Sequence, residues 1–274
     1  MINVKKYLVF SATFLLFNFI VQNNVSAANG DKTMNDIDND SIQKVFNKKV
    51  YFGHQSVGKN ILNGIAVIAP ETKDRLIDVT DVTDVNNPVP AFYHSRVGAN
   101  LDIKRKINDF RKIVESRFSG KLDVAFLKFC YLDITEQTDI KELFNNYKEN
   151  IENLKESFPE MVFVHFTAPL TINNSSWKTQ VKKVLGMGQL WEYADNIKRN
   201  EYNRLLLKEY QGEDPVFDLA AIESTYPDGK RESFSFKGET YYALVKEYTT
   251  DGGHLNDVGS QRVAAALLDF LAGI

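Results

Sequence analysis

The chain has 274 residues, of which 43% are hydrophobic and 25% charged, with 15 Gly, 7 Pro and a single Cys; this excludes a disordered, collagen-like or disulfide-stapled protein. A formal net charge of −3 gives no electrostatic footprint for nucleic acid or anionic lipid, so neither partner is expected. The lone Cys130, in the apolar run AFLKFCYL, is expected to be a small buried hydrophobe.

Lys5 and Lys6 precede the apolar run Tyr7 to Val21, and small residues follow at Val25-Ser26-Ala27. This predicts a secretion signal over residues 1–27. The run is shorter than the roughly 20 residues a spanning helix needs, so cleavage is expected rather than stable membrane insertion, with a secreted or extracytoplasmic location. Residues 28–41 are polar and predict a flexible lead-in. One domain is expected over residues 42–274. Within it, apolar runs of strand length occur at Lys49 to Phe52, Leu76 to Val82, Leu122 to Phe129, Met161 to Thr167 and Val216 to Leu219. Helical patterns fall between them at Val57 to Ile68, Leu101 to Phe118, Ile140 to Ser157 and Trp191 to Tyr210, with a last one at Asp257 to Leu271. In the second of these, Ile103, Ile107, Phe110, Ile113, Val114 and Phe118 recur at three to four residues and make one face apolar. Near-continuously apolar strands separated by such helices predict an α/β fold, a three-layer α/β/α sandwich around a five-stranded, mainly parallel, flavodoxin-like sheet. Between Ser224 and Tyr248, the turn signals Pro227-Asp228-Gly229 and Lys237-Gly238 predict a small β-hairpin excursion.

In open parallel sheets the reactive crevice forms at the carboxyl ends of the strands. The first strand ends in Gly53-His54-Gln55-Ser56, which puts Ser56 on a strand-to-helix turn. A serine there is either a nucleophile or an N-cap. Immediately before the last helix stands Asp251-Gly252-Gly253-His254, and an Asp three residues ahead of a His can accept the imidazole Nδ1 proton, leaving Nε2 to take a proton from a serine. The alternative is a helix-start histidine with Asp251 or Asp257 as cap. The four histidines, His54, His94, His165 and His254, all fall near strand ends or loops, but no pair has the spacing that places two ligands on one helix face, so no metal is expected. No phosphate-loop or dinucleotide fingerprint is present, and no cofactor is expected. Trp177 and Trp191 flank Lys178, Lys182 and Lys183, and such aromatics either stack on sugar rings or anchor packing.

The early serine and the late Asp-x-x-His together resemble the SGNH (GDSL-like) hydrolase superfamily over roughly Val50 to Leu271, although the first block reads GHQS instead of the GDS type. The resemblance implies Ser56 as nucleophile, His254 as general base and Asp251 as the orienting acid, with an acyl-enzyme intermediate. It implies an oxyanion hole from the amides of Ser56 and Gly98; Leu132 stands where the family places an Asn, and Asn100 is the first candidate to replace it. His54, Gln55, His94 and Tyr131 are expected to line the substrate pocket. The implied activity is an esterase that removes acyl groups, O-acetyl first among them, from a glycan or a small ester. Acyl transfer to a polysaccharide hydroxyl, and a non-catalytic carbohydrate-binding protein on the same fold, are the alternatives.

Overall fold

A computed structural model describes residues 37–81, 85, 87–173 and 193–274. The predicted signal, most of the lead-in and the Trp177 to Trp191 stretch lie outside the described residues. The first element is helix α1 (Asn39–Phe46), which takes in three residues assigned above to the lead-in. The Asp38 carboxylate accepts the Asp40 amide at its start, and Ile42, Val45 and Phe46 form one buried face.

Six parallel strands follow, in the spatial order β2-β3-β1-β4-β5-β6: β1 (Lys49–His54), β2 (Leu76–Asp78), β3 (Ala91–Arg96), β4 (Val124–Leu127), β5 (Val162–Phe166) and β6 (Val216–Phe217). The architecture is the expected α/β sandwich, with one strand more than predicted. The additional strand is β3, whose sequence AFYHSR turns polar after three residues and reads as a loop; pairing with β1 on one side and β2 on the other makes it a strand. The predicted second strand is also shorter than expected. Asp78 Oδ1 accepts from both the amide and the hydroxyl of Thr80, and this local turn stops the extended chain.

On one face of the sheet, α1, α2 (Val57–Ile68) and α7 (Asp257–Ala272) cover Phe52, Phe126, Phe166 and Phe217. Successive rings in that row lie 4.8 Å apart, the spacing of neighbouring strands. On the other face, α3 (Ile103–Lys112), α4 (Ile140–Ser157) and α5 (Tyr193–Tyr210) cover Tyr51, Tyr93, Ala125, Leu127 and Phe163. A short helix α6 (Leu219–Ser224) leads to the hairpin β7 (Ser233–Phe236) and β8 (Glu239–Tyr242), whose two-residue turn Lys237-Gly238 has positive φ at both positions, the primed geometry that suits strand twist.

Two features of this fold position the site. The strand order reverses around β1, and the carboxyl end of β1 at such a reversal, here beside Ser56, is where open parallel sheets form their crevice. Helix α2, which starts next to Ser56, lies backbone against backbone on α7, which starts next to His254. A Cβ on Gly64 of α2 would sit 2.3 Å from the Ser260 carbonyl oxygen, so this approach admits no larger residue. Among the described residues no helix is long and apolar enough to cross a membrane.

Candidate active site

Ser56 occupies the turn between β1 and α2 with φ 46° and ψ −104°, a conformation costly to any residue with a Cβ, by about 1–3 kcal/mol. Its side chain makes no capping bond to α2. Instead Oγ lies 2.5 Å from His254 Nε2. The strained turn aims the hydroxyl out of the helix cap and into the crevice.

His254 is fixed from the other side by a compact turn. Asp251 Oδ1 accepts the backbone N–H of Gly253 at 2.9 Å and of His254 at 2.8 Å, and Oδ2 lies 2.6 Å from His254 Nδ1. The capping of α7 falls to Asn256, whose Oδ1 accepts the Gly259 amide, so Asp251 is committed to the turn. Partial burial pushes the Asp251 carboxyl up, but the Gly253 amide and the ring and amide of His254 outweigh it and hold the group down at about 2. It is therefore ionised wherever the protein is folded and working. The imidazole and this carboxylate are roughly half exposed, at 44% and 50%.

Tyr131 lies under the imidazole, on the short turn Tyr131–Asp133 that follows β4. Its Oη is 3.4 Å from both His254 nitrogens, and the rings meet edge to face at 5.5 Å. Gly253 presses on the same ring: a Cβ there would come within 2.8 Å of Cζ.

The other predicted site residues take different places. The Gly98 amide donates to Asp109 Oδ2 at 2.9 Å, so it points at a carboxylate on α3 and away from an oxyanion. Asn100 is exposed and its Oδ1 accepts from Lys106 Nζ. Gln55 donates its amide to the carbonyls of Val97 and Gly98, stapling the Ser56 turn to the loop after β3 instead of facing a pocket. His54 and His94 are buried against one another, with Nε2 and Nδ1 3.3 Å apart, and line no open surface. Burial pushes the His54 imidazole down to about 2 and lowers that of His94 as well, so both are neutral. His165 is a core residue stacked 3.5 Å from the Tyr210 ring and bonded to Tyr147 Oη and Asp214. Among the described residues no three His, Cys, Asp or Glu side chains gather at one point.

No protein-family model and no curated protein matches this chain. Among solved structures it is similar to a GDSL-like lipase from Bacteroides thetaiotaomicron, at 11% identity and TM-score 0.47 over 80% of this chain and 84% of that one. It is similar to a lipase/acylhydrolase from Enterococcus faecalis, at 13% identity and TM-score 0.46 over 82% and 96%, and to an acetyl xylan esterase, at 18% identity and TM-score 0.44 over 80% and 97%. At this distance the likeness assigns no activity, which rests on the side chains just described.

Beneath them lies a polar layer that sequence reasoning missed. Lys106 and Asp133 form a fully buried ion pair, and Asp133 also accepts the amides of Leu101 and Cys130, tying the loops after β3 and β4 together. On α5, Asn196, Arg199, Asn200 and Asn203 are all buried. Arg199 Nε donates to the Tyr131 carbonyl at 2.9 Å, and its Nη1 donates to Thr171 and Asn196. Asn196 and Asn203 each bond both peptide groups of the segment after β5, at Thr171 and Ala168, and the next amide, of Ile172, donates to Gly252 in the His254 turn. Thus α5 holds Tyr131 directly and the Asp251 turn through one intervening loop. The signal was available as spacing: polar residues at i, i+3, i+4 and i+7 mark one helix face, and here that face is inside.

Proposed function

We propose that this chain is a secreted serine esterase of SGNH type that removes acyl groups, O-acetyl first among them, from a glycan or related ester. The observation that carries this reading is the continuous line from Asp251 Oδ2 through His254 to Ser56 Oγ, with contacts of 2.6 and 2.5 Å. The strained backbone and uncapping side chain of Ser56 support it, because both are costs that a merely structural serine has no reason to carry.

Ser56 Oγ attacks the acyl carbon while its proton passes to His254 Nε2, and the carbonyl π pair moves onto oxygen. As the tetrahedral adduct collapses, the leaving alkoxide takes the proton from Nε2 and the acyl group stays on Ser56. Water then repeats the sequence, releasing the carboxylic acid and restoring the hydroxyl. The ionised Asp251 keeps the proton on Nδ1 and stabilises the imidazolium. The Ser56 amide, at the positive end of α2, favours the charge on the acyl oxygen. Predicted export and the half-exposed setting of His254 and Asp251 favour a bulky extracellular polymer as substrate.

Ser56→Ala is expected to abolish release of acetate from acetylated polysaccharides and hydrolysis of 4-nitrophenyl acetate. Thermal stability should change little, because the Ser56 side chain makes no capping bond to α2 that the substitution could remove. Retained hydrolysis, or collapse of the fold, contradicts the assignment.

A further inference from the structure

An oxyanion on the acyl carbon needs more than one fixed donor, since removing a single donor typically costs about 100- to 1,000-fold in rate. The Ser56 amide, at the start of α2, is one donor in the esterase reading, but the Gly98 amide is spent on Asp109 and Asn100 is exposed and bonded to Lys106. Among the described residues, the Tyr131 hydroxyl stands beside the reacting atoms. We propose, building on the esterase reading, that the Tyr131 hydroxyl is the second oxyanion donor, a catalytic residue in place of a side-chain amide.

Four observations carry this. Oη lies 3.4 Å from His254 Nε2, which is itself 2.5 Å from the nucleophilic Oγ, so the phenol and the nucleophile meet the same imidazole nitrogen. The acyl oxygen is one bond from the carbon that joins Oγ, so it forms within the reach of the same phenol. The ring cannot swing away: Gly253 is pressed against Cζ, and Arg199 fixes the backbone by bonding the Tyr131 carbonyl, with its guanidinium 5.8 Å from the ring centre. Only the hydroxyl end is turned to Ser56 and His254; the residue as a whole is buried. Burial, with Cys130 and Asp251 nearby, pushes the phenol up to about 12, so it keeps its proton and donates throughout the working range. Tyr131 gives a hydrogen bond to the oxyanion and transfers no proton, so the proton inventory of the reaction is unchanged.

The test is Tyr131→Phe in the full chain, which removes one oxygen and leaves the ring in place, assayed on 4-nitrophenyl acetate and on its thiono analogue. The expected result is a kcat lower by about 100-fold with KM unchanged. The midpoint of the pH–rate profile should stay in place, and the preference for the oxo over the thiono ester should shrink, because a thiolate-like anion is a poor acceptor for the phenol. A loss below about 10-fold, a moved midpoint, an undiminished oxo preference or an effect on KM alone would overturn the proposal; a moved midpoint would mean that Tyr131 only positions His254. If the Phe variant melts early, a trifluorotyrosine placed at 131 keeps the shape and must add a falling limb to the pH–rate profile as the acidified phenol ionises; absence of that limb overturns the proposal too. A native chain that neither hydrolyses the ester nor reacts at Ser56 would instead defeat the esterase reading itself.

Discussion

Asp251 and Glu223 are both carboxylic acids in loops and short helices at the crevice end of the sheet, and the chain treats them in opposite ways. Asp251 is half exposed and collects two backbone N–H bonds and an imidazole. Glu223, on α6, is fully buried; its Oε1 takes the Leu170 amide, and its Oε2 has no hydrogen-bond partner among the described residues. Burial pushes Glu223 up to about 8 against the pull of the Leu170 amide, Lys128 and Arg199, whereas Asp251 is held down at about 2. The difference teaches that the number of fixed donors and the access of water, rather than residue type, decide which acid is ready to orient a base.

The comparison breaks most sharply at Asp251→Asn. This change keeps the shape but offers the imidazole Nδ1 either a donor or a neutral acceptor, so the tautomer that leaves Nε2 open is lost. A fall in kcat of about 10,000-fold is expected, by analogy with the effect of this change in other Ser-His-Asp enzymes; steady-state kinetics on a small ester would show it. A loss under about tenfold would mean that the carboxylate is only a turn former.

Glu223→Gln sharpens the other half. With a folded-state value raised from 4.5 to about 8, Glu223 binds more protons in the folded than in the unfolded chain across that interval. Its contribution is complete below about pH 4.5 and is lost as pH rises through about 8. The native chain should therefore lose Tm relative to the Gln variant between those limits, by an amount of the order of a few kcal/mol in stability, and the gap should level off above them. Parallel melting curves for the two proteins would contradict the burial argument. Asp251 has the opposite sign: its contribution is present above its usual value of 3.8 and lost as pH falls through about 2, and it is small because the group is half exposed.

These two acids also mark how far the sequence could be read. Asp251, His254 and Ser56 stand in short local patterns at the end of a strand and the start of a helix, where the chemistry is written in adjacent letters. The alternation of apolar strands and amphipathic helices likewise carries the three-layer fold. Strand β3 was hidden because AFYHSR owes its conformation to two neighbours and not to its own periodicity. The stripe of Asn196, Arg199, Asn200 and Asn203 looks like a solvated face, and its burial depends on loops that return from elsewhere in the chain. Gly98 fits an oxyanion pattern by position, yet Asp109, eleven residues on, decides where its amide points. His54 and His94 share the neighbourhood of strand ends with His254, and only the fold shows that they are shut away from solvent. Local motifs were legible; the partners that aim or silence them were not.

The contact between Ser56 and His254 is the claim on which the rest depends, and incubation with a fluorophosphonate followed by peptide mass mapping tests it directly. A single adduct on Ser56 is expected, which His254→Ala suppresses and heat unfolding abolishes. No adduct on Ser56 in the folded protein, or labelling that His254→Ala leaves unchanged, would contradict it.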